Sequence, residues 1–297
     1  MIPATRLPAI IIATALLATT AYAQENGTSL SSSFTYSQSG DTDMKKGASQ
    51  MGELSTIEAS FAFDLGMSFA GARHSFGLSL DAMEMDLSNK SALPAPESMK
   101  DVCVNYTFLK PVDETWTMML SAQAGWHNTG DDLDSDGFGV SAVAGANYKY
   151  SDTLKLFFGL IYDSMADDYV ILPAIGIDWD FAPDWNLAIG MPKTSVTYSV
   201  NDKLSFSVLG EGRFGTYEVD RDDQSAAGKT LGLYDTKLEY RDIRAGLGCT
   251  YALNGSVTLN ATLGYLFERK LDYFDKNYEI KSDDGSVYGS FGLSWSH

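Results

Sequence analysis

Three aspartates at alternating positions could hold a metal ion. The stretch DDLDSDG places Asp132, Asp134 and Asp136 directly before Gly137, which is the D-x-D-x-D-G opening of a calcium loop. In a complete loop the twelfth position carries a bidentate acid, and that position here is Val143. The pattern therefore predicts at most weak calcium binding, and the alternative is a solvated acidic loop.

His127 is the residue best placed for general-base chemistry. With Asp131 or Asp132 beside it, it could activate a water or a hydroxyl in a barrel hydrolase. The chain has only three histidines, and it has no G-x-S-x-G elbow, H-E-x-x-H zinc pair or C-x-x-C site. The alternative is an interfacial histidine beside a solvated loop. We therefore expect the protein not to be an enzyme, and to bind no cofactor other than calcium at the acidic loop.

The N-terminus has the pattern of a secretory signal. Arg6 precedes an apolar run over 7–18, and Ala21-Tyr22-Ala23 offers the small-x-small pattern that a signal peptidase reads. We expect residues 1–23 to be a signal peptide and residues 24–297 to be one domain, because no linker interrupts them. The net charge of −18 argues against nucleic acid as a partner, since phosphate contacts need a basic surface.

The mature sequence alternates between apolar and small or polar residues almost throughout, which is the period of a β-strand. Runs of 9 to 14 residues show this alternation, among them those beginning at Ile57, Trp116, Phe138, Leu154 and Val257. No helical period competes over a comparable length. The chain is therefore predicted to be all-β.

Two kinds of connection alternate between these runs. Short ones lie at 70–74, 110–114, 151–153, 182–184, 201–203 and 252–256, and longer or more acidic ones lie at 40–54, 88–98, 128–136, 164–169, 218–235 and 271–284. Short turns on one side and long loops on the other are typical of a transmembrane barrel. Counting a short hairpin over 185–200 gives fourteen antiparallel strands, or twelve if that hairpin is a bend or folds inward.

A soluble β-sandwich also alternates, but its strands average about five or six residues. Trp116 and Trp126 share one face ten positions apart. In a tilted strand this spacing is roughly 25 Å along the membrane normal, the height of a barrel's lipid-facing band between its aromatic girdles. We therefore expect an outer-membrane barrel with short periplasmic turns, acidic outer loops, and contacts to membrane lipids and lipopolysaccharide.

The alternation also sorts the charged residues by face. The residues predicted to face the lumen are Glu58, Asp64, Asp178, Glu211, Arg213, Asp242, Arg244 and Glu268. A charge facing lipid costs about 2–4 kcal/mol at the midplane, which a lumen position avoids. Opposed acids and arginines could form a solute-selecting constriction. Alternatively, they form salt bridges that plug and stiffen a closed barrel.

The two cysteines fall on opposite faces by the same rule. Cys103 alternates with apolar neighbours and is predicted to face inward, whereas Cys249 shares the apolar face and is predicted to face lipid. Side chains on opposite faces of the wall cannot meet disulfide geometry. We therefore expect two free thiols.

Two segments carry a resemblance to a known family. The segment YDSMADDYVILPAIGIDWDFAPDWNLAIGMPKTSVTYSVNDKLSF (162–206) and the closing segment GLGCTYALNGSVTLNATLGYLFERKLDY (246–273) resemble a bacterial outer-membrane β-barrel family of unknown function. The resemblance spans roughly residues 137 to 295, and it implies the fold and the outer membrane of a Gram-negative-type bacterium but no substrate. One departure is that Trp295 is followed by Ser296 and His297, where such chains usually end on an aromatic residue.

These patterns lead to one main functional hypothesis and two alternatives. The main hypothesis is a passive channel for small solutes with a charged lumen. The first alternative is a closed structural or surface-interaction barrel without transport, and the more remote one is the hydrolase built on His127. The identity of the solute depends on which lumen side chains face one another, and that depends on register and shear.

Overall fold

A computed structural model of the chain describes residues 27–166 and 171–297. The predicted signal peptide, 1–23, lies outside these residues. Fifteen strand segments make up most of the described chain. They are β1 (Thr28–Lys46), β2 (Ser49–Phe69), β3 (Ala72–Leu87), β4 (Ser98–Pro111), β5 (Trp116–Thr129), β6 (Phe138–Lys149), β7 (Leu154–Asp163), β8 (Ile171–Ala182), β9 (Trp185–Ile189), β10 (Lys193–Asn201), β11 (Leu204–Glu218), β12 (Lys237–Ala252), β13 (Val257–Tyr273), β14 (Tyr278–Ser282) and β15 (Ser286–Ser296).

The strands form one closed antiparallel barrel. Each strand from β1 to β13 pairs with the next along the chain, and β15 pairs with both β13 and β1, which closes the ring. The segments β14 and β15 are two parts of one wall strand, because both pair with β13 on one side and with β1 on the other. The barrel therefore has fourteen strands, as predicted. The hairpin of β9 and β10 belongs to the wall, so the twelve-strand alternative is wrong.

The wall is much taller on one side than on the other. Strands β6 to β10 have 12 residues or fewer and form the short wall. The remaining strands form the tall wall, in which β2 reaches 21 residues and β13 reaches 17. About nine to eleven residues suffice to cross a bilayer. The tall wall therefore continues well beyond the membrane on the side of the long loops.

Two of the predicted long connections are wrong for this reason. The stretch 40–54 belongs mostly to β1 and β2, which pair almost to their ends and turn at Gly47. The stretch 271–284 contains the end of β13 and all of β14. These stretches lack a regular apolar alternation because their outer face meets water and not lipid. The prediction therefore mistook strand for loop.

The outward face of the barrel changes character with height. Large apolar side chains are exposed over the lower part of the wall, such as Phe76 and Leu78 on β3, whereas the outward positions higher on β3 carry Glu84 and Asp86. Aromatic pairs mark two levels of the apolar band. Trp116 lies 4.6 Å from Tyr148 at the lower level, and Trp126 lies 5.3 Å from Phe138 at the upper level, measured between ring centroids. This is the lipid-facing band that the tryptophan spacing predicted.

The helices are short. One α-helix, α1 (Ala226–Leu231), lies in the long connection between β11 and β12. In the described part of the chain, no helix has the length and apolar character needed to cross a membrane.

The two free cysteines are placed as predicted. Cys103 is buried inside the barrel and Cys249 lies on the outward parity of β12, and neither forms a disulfide.

Candidate functional site: the lumen and its half-plug

An apolar core fills the upper part of the barrel on the side of the tall wall. We call this core, together with the connections 88–97 and 219–236, the half-plug. Its buried residues come from β1–β4, β11–β14 and the two connections, and none comes from the short wall. They are Met44, Leu54, Met83, Met85, Leu87, Leu93, Ala95, Met99, Tyr217, Val219, Leu233, Leu238, Tyr240, Leu271, Tyr273 and Ile280.

Side-chain hydrogen bonds fix the two connections to each other and to the wall. The Gln224 amide donates to the Leu233 carbonyl at 2.8 Å and to the Tyr273 hydroxyl at 2.9 Å. The Tyr273 hydroxyl in turn donates to the Pro94 carbonyl at 3.0 Å, and the Ser225 hydroxyl donates to the Leu93 carbonyl at 2.8 Å. Polar groups buried in this way need such partners. The half-plug is therefore a folded unit and not a loose loop.

Asp223 joins the half-plug to the start of β4. Its carboxylate accepts hydrogen bonds from the Ser98 backbone N–H at 3.0 Å and from the Ser98 hydroxyl at 3.2 Å. Burial nevertheless raises the pKa of Asp223 above its ordinary value, because the loss of water outweighs these hydrogen bonds. The docked connection therefore favours the protonated form of the Asp223 carboxyl.

Beside the apolar core lies a buried ionic network. The Asp242 carboxylate is 3.0 Å from Arg269 Nε and 2.7 Å from Arg244 Nη2. Glu58 reaches the same group from β2, with its carboxylate 2.5 Å from Arg244 and 2.6 Å from Arg213. Arg269 also donates to the Leu54 carbonyl and to the hydroxyls of Ser39 and Thr56. The network ties β2 to β11, β12 and β13 across the lumen.

Register explains why the sequence found most of this network. Arg213 lies directly opposite Asp242, and Glu211 lies directly opposite Arg244, in the regular ladder between β11 and β12. In a regular ladder the alternation of faces holds for every residue. Glu58, Arg213, Asp242 and Arg244 were therefore correctly predicted to point inward, and the structure brings the four together.

Glu268 was predicted to face the lumen, and this is wrong. The ladder between β12 and β13 shifts register, so that Ile243 pairs with Glu268 but Arg244 pairs with Leu266. The extra residue is a β-bulge, which reverses the faces beyond it. Glu268 consequently lies on the outer surface, 2.5 Å from Arg241.

Arg269 was not among the predicted lumen residues. The bulge turns it to the inward face, where it is fully buried. The apolar residues of β13 stay on odd positions through Phe267, Leu271 and Tyr273, so no change of phase is visible in the sequence. The only available signal was the charged run Glu268-Arg269-Lys270, which interrupts an otherwise apolar and small-residue strand.

The other predicted lumen residues lie apart from the network. Asp64 is half-buried opposite Gly77 in the ladder of β2 and β3. Asp178 accepts a hydrogen bond from the Asn186 amide at 2.7 Å and is 3.7 Å from the Lys155 ammonium. Glu211 is half-buried on β11, two residues below Arg213.

The inner face of the short wall is different. Its inward-facing side chains, such as Ser141, Val143 and Asn147 on β6, are small or medium-sized and only half-buried. Phe157 is the exception, and it lies flat against the wall. A Cβ atom at Gly145 would come within 2.8 Å of the Phe157 ring, and one at Gly159 within 2.7 Å. The glycines thus accommodate the ring against the wall.

Above the short wall, the two edges of the tall wall approach each other. Asn128 at the end of β5 pairs with Glu218 at the end of β11, and the Thr129 hydroxyl accepts a hydrogen bond from the Asp220 N–H at 2.8 Å. We call this contact the seam. It joins the upper ends of β5 and β11 above the strands of the short wall.

His127 lies just below the seam, with partners that differ from the predicted ones. Its Nδ1 atom contacts the carboxylate of Asp101, and its Nε2 atom lies 3.9 Å from Cys103 Sγ. The Tyr217 hydroxyl donates to the other oxygen of Asp101 at 3.0 Å. Asp131, one of the two partners that the hydrolase hypothesis named, is instead bound by Lys100, and Asp101 is the carboxylate that contacts the ring.

The acidic loop contains a 3₁₀ turn over Ser135–Gly137, which includes Asp136 and has Asp134 as its N-cap. Asp134 accepts hydrogen bonds from the Asp136 N–H at 3.4 Å and from the Ser135 hydroxyl at 3.2 Å. Among the residues that the structure describes, no three His, Cys, Asp or Glu side chains converge in the manner of a metal cage. Calcium binding by Asp132, Asp134 and Asp136 therefore stays a prediction.

Comparisons with solved structures return β-barrels of low similarity. An outer membrane channel from Pseudomonas putida F1 is 11% identical with a TM-score of 0.47, over 90% of this chain and 95% of that one. A FadL homologue from Pseudomonas aeruginosa is 10% identical with a TM-score of 0.43, over 92% and 90%. The NanC porin is 10% identical with a TM-score of 0.40, over 90% and 98%. No curated protein matches the chain.

The family is settled by the sequence. The resemblance predicted a barrel family of unknown function, and the match agrees with it. Residues 19–296 match the family described as "Domain of unknown function (DUF6268)", and the chain therefore belongs to this family.

Proposed function

We propose that the protein is an outer-membrane barrel that lets small polar solutes pass along the short wall, beside a fixed half-plug. The predicted signal peptide and the apolar outward band support residence in the outer membrane. Solutes would enter the hydroxyl- and glycine-rich lower lumen and leave at the outer surface under the seam between Asn128 and Glu218.

The difference in burial between the upper tall wall and the lower lumen is the observation that carries this proposal. Inward-facing residues high on the tall wall, such as Tyr240 and Arg269, are fully buried, whereas inward-facing residues of the short wall stay half-buried from Ser141 to Asn147, as do Asp64 and Glu211 lower on the tall wall. An inward-facing side chain remains accessible only where water reaches it inside the barrel. A water-filled path along the short wall accounts for this difference.

Charge along this path favours polar solutes. The side chains of Glu58 and Arg213 at the edge of the network are 9% and 16% exposed, so they border the path while most of the network lies behind them. Lys155 and Asp178 face each other lower on the short wall. Charged pairs that line a water-filled lumen orient dipolar solutes and disfavour apolar ones.

Single-channel recording in planar bilayers tests the proposal with two tryptophan variants of β6. Val143 faces the lumen and Ala144 faces lipid, so Val143→Trp narrows the path while Ala144→Trp adds the same bulk outside. We expect discrete conductance steps from the wild-type barrel, a fall of roughly twofold or more with Val143→Trp, and no change with Ala144→Trp. Equal conductance in the two variants would contradict the path.

A closed barrel without transport is the second candidate, and the apolar half-plug is the observation that favours it. Such a barrel would act through its acidic outer loops, for which lipopolysaccharide bridged by divalent cations is the partner that the charge favours. Absence of any conductance step from correctly folded wild-type barrel would decide for this candidate.

A further inference from the structure

We propose that Cys103, His127 and Met165 form a binding site for a soft metal ion, with Cu(I) as the best-matched ion. Cys103 and His127 bring a thiol and an imidazole nitrogen together under the seam, and the Met165 thioether lies near the same imidazole ring. Thiolate, thioether and imidazole are the donors that soft ions such as Cu(I) select. The site does not depend on whether solutes pass through the barrel.

The distance between the first two donors suits a bridging metal ion. Cys103 Sγ and His127 Nε2 are 3.9 Å apart. With metal–sulfur and metal–nitrogen bonds of about 2.3 and 2.0 Å, this separation corresponds to an angle at the metal of about 130°, near the trigonal value. In the metal-free protein this gap holds the one hydrogen that Sγ and Nε2 share. On binding, the metal replaces that hydrogen, and the proton leaves to lumen water.

The surroundings hold the imidazole in the tautomer that a metal needs. Asp101 contacts Nδ1 of His127, so Nδ1 carries a proton and Nε2 is the ring nitrogen that faces Cys103. Asp101 is itself fixed by the hydroxyl of Tyr217 at 3.0 Å. A carboxylate behind a metal-binding histidine orients the ring and raises its basicity.

Met165 supplies the third donor from the connection after β7. Its side chain is buried, and its backbone N–H is held by the Asp163 carboxylate at 2.8 Å. A Cβ atom at position 139 would lie 3.1 Å from His127 Cδ2 and 3.3 Å from Met165 Sδ. The thioether and the imidazole therefore adjoin the same small space, which a side chain at position 139 would fill.

Glycine opposite Cys103 clears the space on the other side. A Cβ atom at Gly125 would come within 2.6 Å of Cys103 Sγ, so only glycine leaves the thiol room in that rotamer.

Burial favours a cation beside the thiol, and donor softness favours Cu(I). Cys103 is 1% exposed, so a bound cation offsets the charge of a thiolate that would otherwise be buried alone, and thiolate, imidazole and thioether donors select a soft ion over a hard divalent one.

The test is Cu(I) titration of the full barrel in detergent, against a chromophoric Cu(I) chelator, with bound metal measured by elemental analysis. We expect one Cu(I) per wild-type barrel, none with Cys103→Ser, and lower affinity with Met165→Leu. The matched control is Cys249→Ser, which removes the outward-facing thiol and should leave binding unchanged. Asp101→Asn should weaken binding roughly 10- to 100-fold, as other changes behind a metal-binding histidine do.

Two outcomes would overturn the site. One is undiminished Cu(I) binding by Cys103→Ser, and the other is binding that disappears with Cys249→Ser. If Cys103→Ser does not fold, as judged by heat-dependent migration on gels, X-ray absorption of copper-loaded wild-type protein decides. Two sulfur donors and one nitrogen donor support the site, and coordination by oxygen alone rules it out.

Discussion

The two walls of this barrel use the same alternating pattern for different purposes. The tall wall continues above the membrane and packs large apolar and charged side chains into a core, as a soluble protein does. The short wall ends near the upper aromatic level and keeps small or flat side chains inside. A barrel strand needs only about nine to eleven residues to cross lipid. The additional length of strands such as β2 and β13 thus provides the surface on which the half-plug folds.

The two walls also differ in how much their inward-facing side chains contribute to the stability of the barrel. Truncating a buried group of the tall wall should lower the free energy of unfolding more than truncating a half-exposed group of the short wall, because no water replaces the lost partner of a buried group. The short wall lacks this burial, and its inward-facing side chains stay half-buried, as the proposed path requires. The predictions below test this division, beginning with the largest expected effect.

The buried ionic network should be the most sensitive part of the molecule. Arg269→Ala removes a fully buried guanidinium and leaves Asp242 short of one partner, so we expect a loss of about 3–5 kcal/mol in the free energy of unfolding. Urea unfolding of the barrel in lipid vesicles, followed by tryptophan fluorescence, measures this loss.

The matched change on the short wall is Lys155→Ala, which removes one partner of a half-exposed pair. We expect it to cost no more than about 1 kcal/mol, because water solvates the remaining Asp178. Similar losses for the two variants would contradict the division between the walls.

The half-plug should be held chiefly by apolar packing. Leu93 is fully buried where connection 88–97 enters the core, so Leu93→Ala should destabilise the protein by about 2–5 kcal/mol. Leu231→Ala in α1 is the matched control, because that leucine is 50% exposed and its truncation should cost less than about 0.5 kcal/mol. The same unfolding experiment compares the two, and an equal effect would show that the core does not hold the connections.

A smaller effect should appear in the pH dependence of the half-plug. Burial raises the folded-state pKa of Asp223, so protonation of this carboxyl stabilises the docked half-plug. This stabilisation is fully present below the unfolded pKa and is lost as the pH rises through the folded pKa. Proteinase K should therefore cleave connection 219–236 more slowly at acidic than at neutral pH.

The variant Asp223→Asn should be cleaved with little dependence on pH beyond that of the protease, whereas Asp222→Asn, at an exposed position, should behave as wild type. The ratio of variant to wild-type cleavage at each pH removes the protease's own dependence. A constant ratio for Asp223→Asn would show that this carboxyl does not control docking.

Much of the fold could be predicted because the signal repeats along the chain. Fourteen strands, the alternation of turns and loops, the faces of the two cysteines and the inward direction of Glu58, Arg213, Asp242 and Arg244 all follow from period two in a regular ladder. Where the ladder is irregular, the prediction failed. The bulge beside Ile243 moved Glu268 outside and Arg269 inside, and the odd-numbered apolar residues of β13 gave no sign of it.

Sequence by itself determined the barrel, its band of apolar outward residues and its family, because alternation is a local property that each strand shows independently. Tertiary structure alone decided which residues meet inside. Glu58 and Arg244 are 186 positions apart, and Cys103, His127 and Met165 come from three separate segments. Such contacts depend on register, bulges and the packing of connections, which no single segment specifies. Closure of the ring brings them together, and closure is a property of the whole chain.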